Sequence, residues 1–151
     1  MKKDTTNTIK DKLIPVGTSP TVFYMPFVGD VPAGFPSLAS DYMEQPIDLH
    51  EKLIEHPSAT FIMRVTGDSM IDAHMPPGCL LIVDRALTPR SGCIVVAVVN
   101  GEFTVKRLEK KMGKIRLLPE NPKYRPIEIE GGMECFVWGV VRHIIIDSKT
   151  V

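Results

Sequence analysis

The sequence contains no apolar run long enough to cross a bilayer; the longest, Ile94 to Val99, has the length of a strand. Its first residues, Met1 to Leu13, are polar and lysine-bearing and lack the apolar centre of an export signal. No membrane partner is therefore expected, and the cytoplasm is the expected compartment. An excess of one charge is missing as well. Eighteen Lys and Arg balance eighteen Asp and Glu, so no global field draws the chain to nucleic acid or anionic lipid. Cysteine is scarce: Cys79, Cys93 and Cys135 are odd in number and form no CxxC pair, which points to reduced thiols at strand segments, not a disulfide framework. The four histidines, His50, His56, His74 and His143, follow no HExxH or other ligand spacing. That argues against a zinc centre, and no cofactor is expected. Aromatics are few, at 7% of residues, and none is interleaved in the basic series Lys106, Arg107, Lys110, Lys111, Lys114 and Arg116. Without stacking platforms that series reads as a solvated hairpin end, and no sequence-specific DNA binding is expected. Asp41, Glu44 and Asp48 read as solvated acids.

What the chain does have is enough apolar material for one core. It holds 151 residues, 44% of them hydrophobic. Its two parts differ. Residues 1–40 carry Pro15, Pro20, Pro26, Pro32 and Pro36 with Gly17, Gly29 and Gly34, a density that removes backbone donors and predicts an extended arm or linker. Within it, residues 21–28 are apolar enough to pack on a surface, so the arm is expected to be tethered. Residues 41–151 open with a short helix over Leu49–His56, capped by Asp48 and ended by Pro57. Strands are predicted near Thr60–Thr66, Cys79–Asp84, Cys93–Val99, Glu102–Leu108, Lys114–Leu118, Ile127–Ile129 and Cys135–Ile146. Glycine- and proline-bearing turns separate them, which gives a mainly β fold, a sandwich or partly closed barrel.

Two short stretches carry the candidate chemistry. In Gly67-Asp68-Ser69-Met70, a serine follows a strand at a glycine that is expected to let the backbone turn sharply. Such a turn presents a hydroxyl together with backbone N–H groups able to bind an oxyanion. The second stretch is Val105-Lys106-Arg107. Asn100-Gly101 predicts a two-residue type I′ hairpin turn, and that register puts Lys106 opposite Val95 in an aliphatic strand. Alternation groups Lys106 with Thr104 and Leu108, and Arg107 with Phe103 and Val105; both faces are mixed, so the direction of Lys106 stays open. If it points inward, desolvation can depress its basicity enough for it to deprotonate a serine.

Longer runs surround these residues. They are Gly34-Phe35-Pro36-Ser37, Asp41-Tyr42, His56-Pro57-Ser58-Ala59-Thr60, Gly67-Asp68-Ser69-Met70-Ile71-Asp72, Leu80-Leu81-Ile82-Val83-Asp84 and Gly101-Glu102-Phe103-Thr104-Val105-Lys106-Arg107-Leu108. In these runs, and in their order over most of the chain, the sequence resembles the UmuD-type branch of the LexA-like self-cleaving serine peptidases. The Ser/Lys pair alone also fits bacterial signal peptidases; the other runs do not.

The resemblance implies a fold of the LexA and signal-peptidase kind, with Ser69 as nucleophile, Lys106 as general base and the backbone N–H groups of Asp68 and Ser69 as oxyanion hole. It implies that the substrate is the chain's own arm, cut between Ala33 and Gly34. The implied partners are a second copy of the chain, a RecA filament on single-stranded DNA that stimulates cleavage, and the catalytic subunit of a Y-family translesion polymerase in the SOS response to DNA damage. The alternatives are a peptidase or LexA-like regulator acting on another protein, or an interaction module that does not cleave. Residues 1–33 are too short and proline-rich for the winged helix of a repressor. The family tends to carry aspartate where this chain has Cys79 and Cys93, so a changed turn or surface is expected there.

Overall fold

The computed structural model of the chain describes residues 24–27, 29–31, 33–34 and 44–149. Of these, the residues up to Glu55 form one compact unit and those from His56 onward form another.

In the first unit, β1 (Tyr24–Phe27) pairs antiparallel with β2 (Glu44–Asp48), Tyr24 facing Asp48 and Met25 facing Ile47. The ladder is irregular between Met25 and Phe27, where Pro26 has no N–H to give. Neither strand was expected: β1 lies in the stretch its prolines marked as an extended arm, and β2 lies just ahead of the predicted helix. A two-stranded ribbon resolves the conflict: each strand is an edge, and an edge tolerates proline. The helix that follows, α1 (Leu49–Leu53), starts as predicted, the Asp48 carboxylate accepting the His50 N–H at 2.8 Å. It ends earlier than the predicted His56. Ile54 is already extended (φ −121°), since His56 precedes a proline and is disfavoured from helix, and Pro57 instead opens a 3₁₀ turn, Pro57–Ala59. Ala33 and Gly34 form an exposed bend. The expected boundary between residues 40 and 41, Phe35-Pro36-Ser37 and Asp41-Tyr42 lie outside the described residues.

The second unit is mainly β. Its strands are β3 (Thr60–Arg64), β4 (Leu80–Asp84), β5 (Ile94–Val99), β6 (Glu102–Lys111), β7 (Lys114–Leu118), β8 (Ile127–Glu128) and β9 (Cys135–Ile145). They form one antiparallel sheet in the order β3-β4-β9-β5-β6-β7-β8. All seven coincide with predicted strands to within a few residues. Strand β5 explains its own unbroken apolar run. Val96 and Val98 pack with Phe61, Leu81 and Trp138, while Val95 and Ala97 pack with Leu108, Leu117 and Val140 in a second cluster. A strand buried on both faces has no polar side to show. The β5–β6 turn has Asn100 at φ 49° and Gly101 at φ 85°, the left-handed pair that a type I′ turn requires. The register that follows pairs Val95 with Lys106.

Candidate active site

Between β3 and β4 the chain makes an excursion that is closed at its base. The Val65 N–H donates to the Cys79 carbonyl at 3.0 Å, and the Gly78 N–H returns to the Val65 carbonyl at 2.7 Å. Two side chains pin the loop inward: Met70 and Met75 are 2% and 0% exposed and sit in the core cluster of Phe61 and Trp138. Ser69 immediately precedes the first of these anchors. Its other side is held by the segment after β7, where the Glu120 N–H donates to the Ser69 carbonyl at 2.8 Å and the Asp72 N–H to the Glu120 carbonyl at 2.8 Å. The backbone bends at Gly67 and Asp68 as expected, though not through a conformation that only glycine adopts. Gly67 has no left-handed φ, and a Cβ there meets nothing within 4 Å; the methionine anchors shape the loop. Gly67 instead lines, with Met63, Val65, Leu81 and Phe103, a cleft of about 240 Å³ that reaches Ser69 and Lys106.

Lys106 reaches this cleft from β6 and is 7% exposed, so the face left open by alternation is the inward one, shared with fully buried Leu108. Its Nζ donates to Ser69 Oγ at 2.8 Å, to Thr104 Oγ1 at 2.9 Å and to the Val105 carbonyl at 2.9 Å. All three partners are neutral. Burial, with no carboxylate among the described residues bonded to it, pushes the lysine below its ordinary value. Once the ammonium loses its proton, Thr104 and Val105 hold the two remaining N–H bonds and the lone pair faces Ser69. In that state the serine O–H becomes the donor.

Beside the hydroxyl, the N–H groups of Asp68 and Ser69 have no acceptor among the described residues. The remaining groups of Asp68 are occupied: its carbonyl accepts from Asn121 Nδ2 at 3.0 Å and from the Ile71 N–H at 3.1 Å, and its carboxylate from the Tyr124 hydroxyl. Thr104, Asn121, Glu120 and Tyr124 were not singled out by sequence. The two-residue spacing of Thr104 from Lys106 was a signal for the first; the other three come from a segment with no motif.

The remaining candidates lie elsewhere. Cys79 is buried and Cys93 and Cys135 half-buried; burial pushes the thiols of Cys79 and Cys135 up, away from the reactive thiolate. Glu44 is exposed on β2, Asp48 caps α1, and Asp41 lies outside the described residues. Within the basic series Arg107 pairs with Glu120 and Arg116 with Glu109. Among the described residues no helix is long and apolar enough to cross a membrane.

Residues 26–142 match the family model described as Peptidase S24-like. The chain is 46% identical to protein SamA of Salmonella typhimurium over 124 residues, covering 82% of this chain and 86% of SamA. It is 44% identical to protein MucA of Escherichia coli over 118 residues, 78% of this chain and 80% of MucA. The LexA repressor of Clostridium perfringens is 41% identical over 115 residues, which span 76% of this chain and 55% of the repressor.

Proposed function

This chain belongs to the Peptidase S24-like family, in its UmuD-like branch of SOS mutagenesis proteins, and from that premise we propose that it cuts itself between Ala33 and Gly34 with Ser69 and Lys106. The observation that carries the proposal is the 2.8 Å contact of Lys106 Nζ with Ser69 Oγ, made by a buried lysine whose partners among the described residues are all neutral.

The reaction is ordinary acyl transfer run by an amine base. Neutral Lys106 takes the hydroxyl proton as Ser69 Oγ attacks the Ala33 carbonyl carbon. The negative oxygen that develops is stabilised by the N–H groups of Asp68 and Ser69. Protonated Lys106 then gives its proton to the Gly34 nitrogen as the C–N bond breaks, leaving Ala33 as an ester on Ser69. Water, deprotonated by Lys106, attacks that ester and frees the Ala33 carboxylate and the serine. Small residues on both sides of the bond suit such a substrate, because they leave the carbonyl open to attack. The exposed bend at Ala33 and Gly34 supports an accessible bond.

The arm must enter the site before any of this occurs, so cleavage depends on the population of the docked state. In this reading a RecA filament on single-stranded DNA raises that population in the cytoplasm of damaged cells. The shortened product, Gly34–Val151, forms a homodimer and joins the catalytic subunit of a Y-family translesion polymerase. The test is self-cleavage of purified chain with and without RecA, ATP and single-stranded DNA, read by intact mass. A product beginning at Gly34, stimulated by the filament and absent in Ser69→Ala, is expected. Wild-type cleavage by Ser69→Ala overturns the mechanism, and a different product N-terminus overturns the assigned bond.

A further inference from the structure

The segment that follows β7 is tied to the nucleophile loop through Glu120, bonded to Ser69 and Asp72, and its most buried polar residue is Asn121, 7% exposed. Both ends of its amide are engaged. Oδ1 accepts the Lys123 N–H at 3.0 Å, and Nδ2 donates to the Asp68 carbonyl at 3.0 Å. Because a backbone N–H only donates, the Lys123 contact fixes which end of the amide is oxygen and leaves the donor end for Asp68.

The Asp68 carbonyl and the Ser69 N–H are the two polar ends of one trans peptide plane, and they point in opposite directions. Two donors hold that carbonyl, Asn121 Nδ2 and the Ile71 N–H at 3.1 Å, and together they turn the Ser69 N–H away from them, to the side where it has no acceptor among the described residues. The following peptide is held in the same way, its carbonyl bonded to the Glu120 N–H. Tyr124 completes the arrangement by taking the Asp68 carboxylate, while Lys106 is bonded by neutral oxygens alone.

From this geometry we propose that Asn121 is a positioning residue that aims the Ser69 N–H at the developing oxyanion, with Tyr124 as a second brace on Asp68. The inference rests on the Ser69–Lys106 reading above. It makes Asn121 act on the oxyanion and not on the base, and the two have different signatures. Loss of an oxyanion donor lowers the rate at every pH, whereas a disturbed base moves the pH at which the rate rises.

The experiment compares pH–rate profiles of self-cleavage for the full chain, Asn121→Ala, Tyr124→Phe and Ser69→Ala, with melting temperatures taken alongside. Asn121→Ala is expected to lower the plateau about 10- to 100-fold, less than the roughly 100- to 1000-fold of a donor removed outright because the Ile71 N–H still holds the Asp68 carbonyl, and to leave the midpoint of the profile where it is. A plateau equal to the parent's overturns the proposal. So does a loss that moves with the midpoint, since Asn121 then acts through Lys106. If Asn121→Ala melts below the assay temperature, Tyr124→Phe decides, because that ring is 44% exposed and its loss of one hydroxyl spares the fold. A plateau about tenfold lower at the parent midpoint, the worth of a hydrogen bond to a charged group at its weak end, supports the inference, and parental kinetics overturn it. Cleavage by Ser69→Ala at the parent rate points instead to failure of the underlying Ser69–Lys106 reading.

Discussion

Lys106 is a cation with no counter-charge among the described residues: its nitrogen meets a serine, a threonine and a carbonyl, and burial pulls its basicity down. Two consequences follow at this residue. Self-cleavage should rise with pH as Lys106 loses its proton, with a midpoint below the ordinary lysine value of 10.5, read from single-turnover rates across the alkaline range. Stability should follow the same titration. With the folded-state value depressed, the unfolded chain binds the extra proton between that value and 10.5, so stability rises with pH through that window and is level above it. Lys106→Met, an apolar chain of similar reach, should therefore melt a few degrees higher than the parent at pH 7, and the gap should close as the pH approaches 10.5. Scanning calorimetry at the two pH values checks both halves. Ser69 and Lys106 stood out in the sequence as candidates because a serine after a glycine and a lysine in an aliphatic strand are local signals, and their roles came from the resemblance. Asn121 and Tyr124 did not, since they meet Asp68 across 53 and 56 positions of sequence, and no local pattern encodes a contact of that span.

At the scale of elements, the seven strands of the second unit were readable because alternation, turn chemistry and apolar runs agreed. The Asn100-Gly101 turn even fixed the residue opposite Lys106. Strands β1 and β2 were hidden because prolines at 26 and 46 contradict the strand pattern, and only the partner strand shows that these are edges. The sheet also carries a constraint that alternation does not reveal. Where the β5–β9 register shifts, between Val96 facing Gly139 and Ala97 facing Val137, a Cβ on Gly139 would lie 2.6 Å from Val83 Cγ1, in a stiff β-branched side chain that is fully buried. Gly139→Ala must push that core apart, and should cost about 1–3 kcal/mol. Urea denaturation followed by the fluorescence of Trp138, the chain's one tryptophan and a member of the same cluster, measures it.

For the whole molecule, the proposed scissile bond lies in the stretch that joins the two strands of the β1–β2 ribbon. While the chain is intact, β1 is tethered to β2 and re-pairs each time the ribbon opens, at an effective concentration set by the short connection. Breaking the bond between Ala33 and Gly34 converts an intramolecular pairing into a complex of two chains. A two-stranded ribbon on its own is marginal in water, so the released segment should dissociate on dilution. Native mass spectrometry of freshly cleaved protein should show the 1–33 fragment bound at high concentration and lost at low. Hydrolysis would then act as a ratchet: once the fragment has diffused away, dilution opposes its return, and the freed edge of β2 becomes a lasting record that the cut took place.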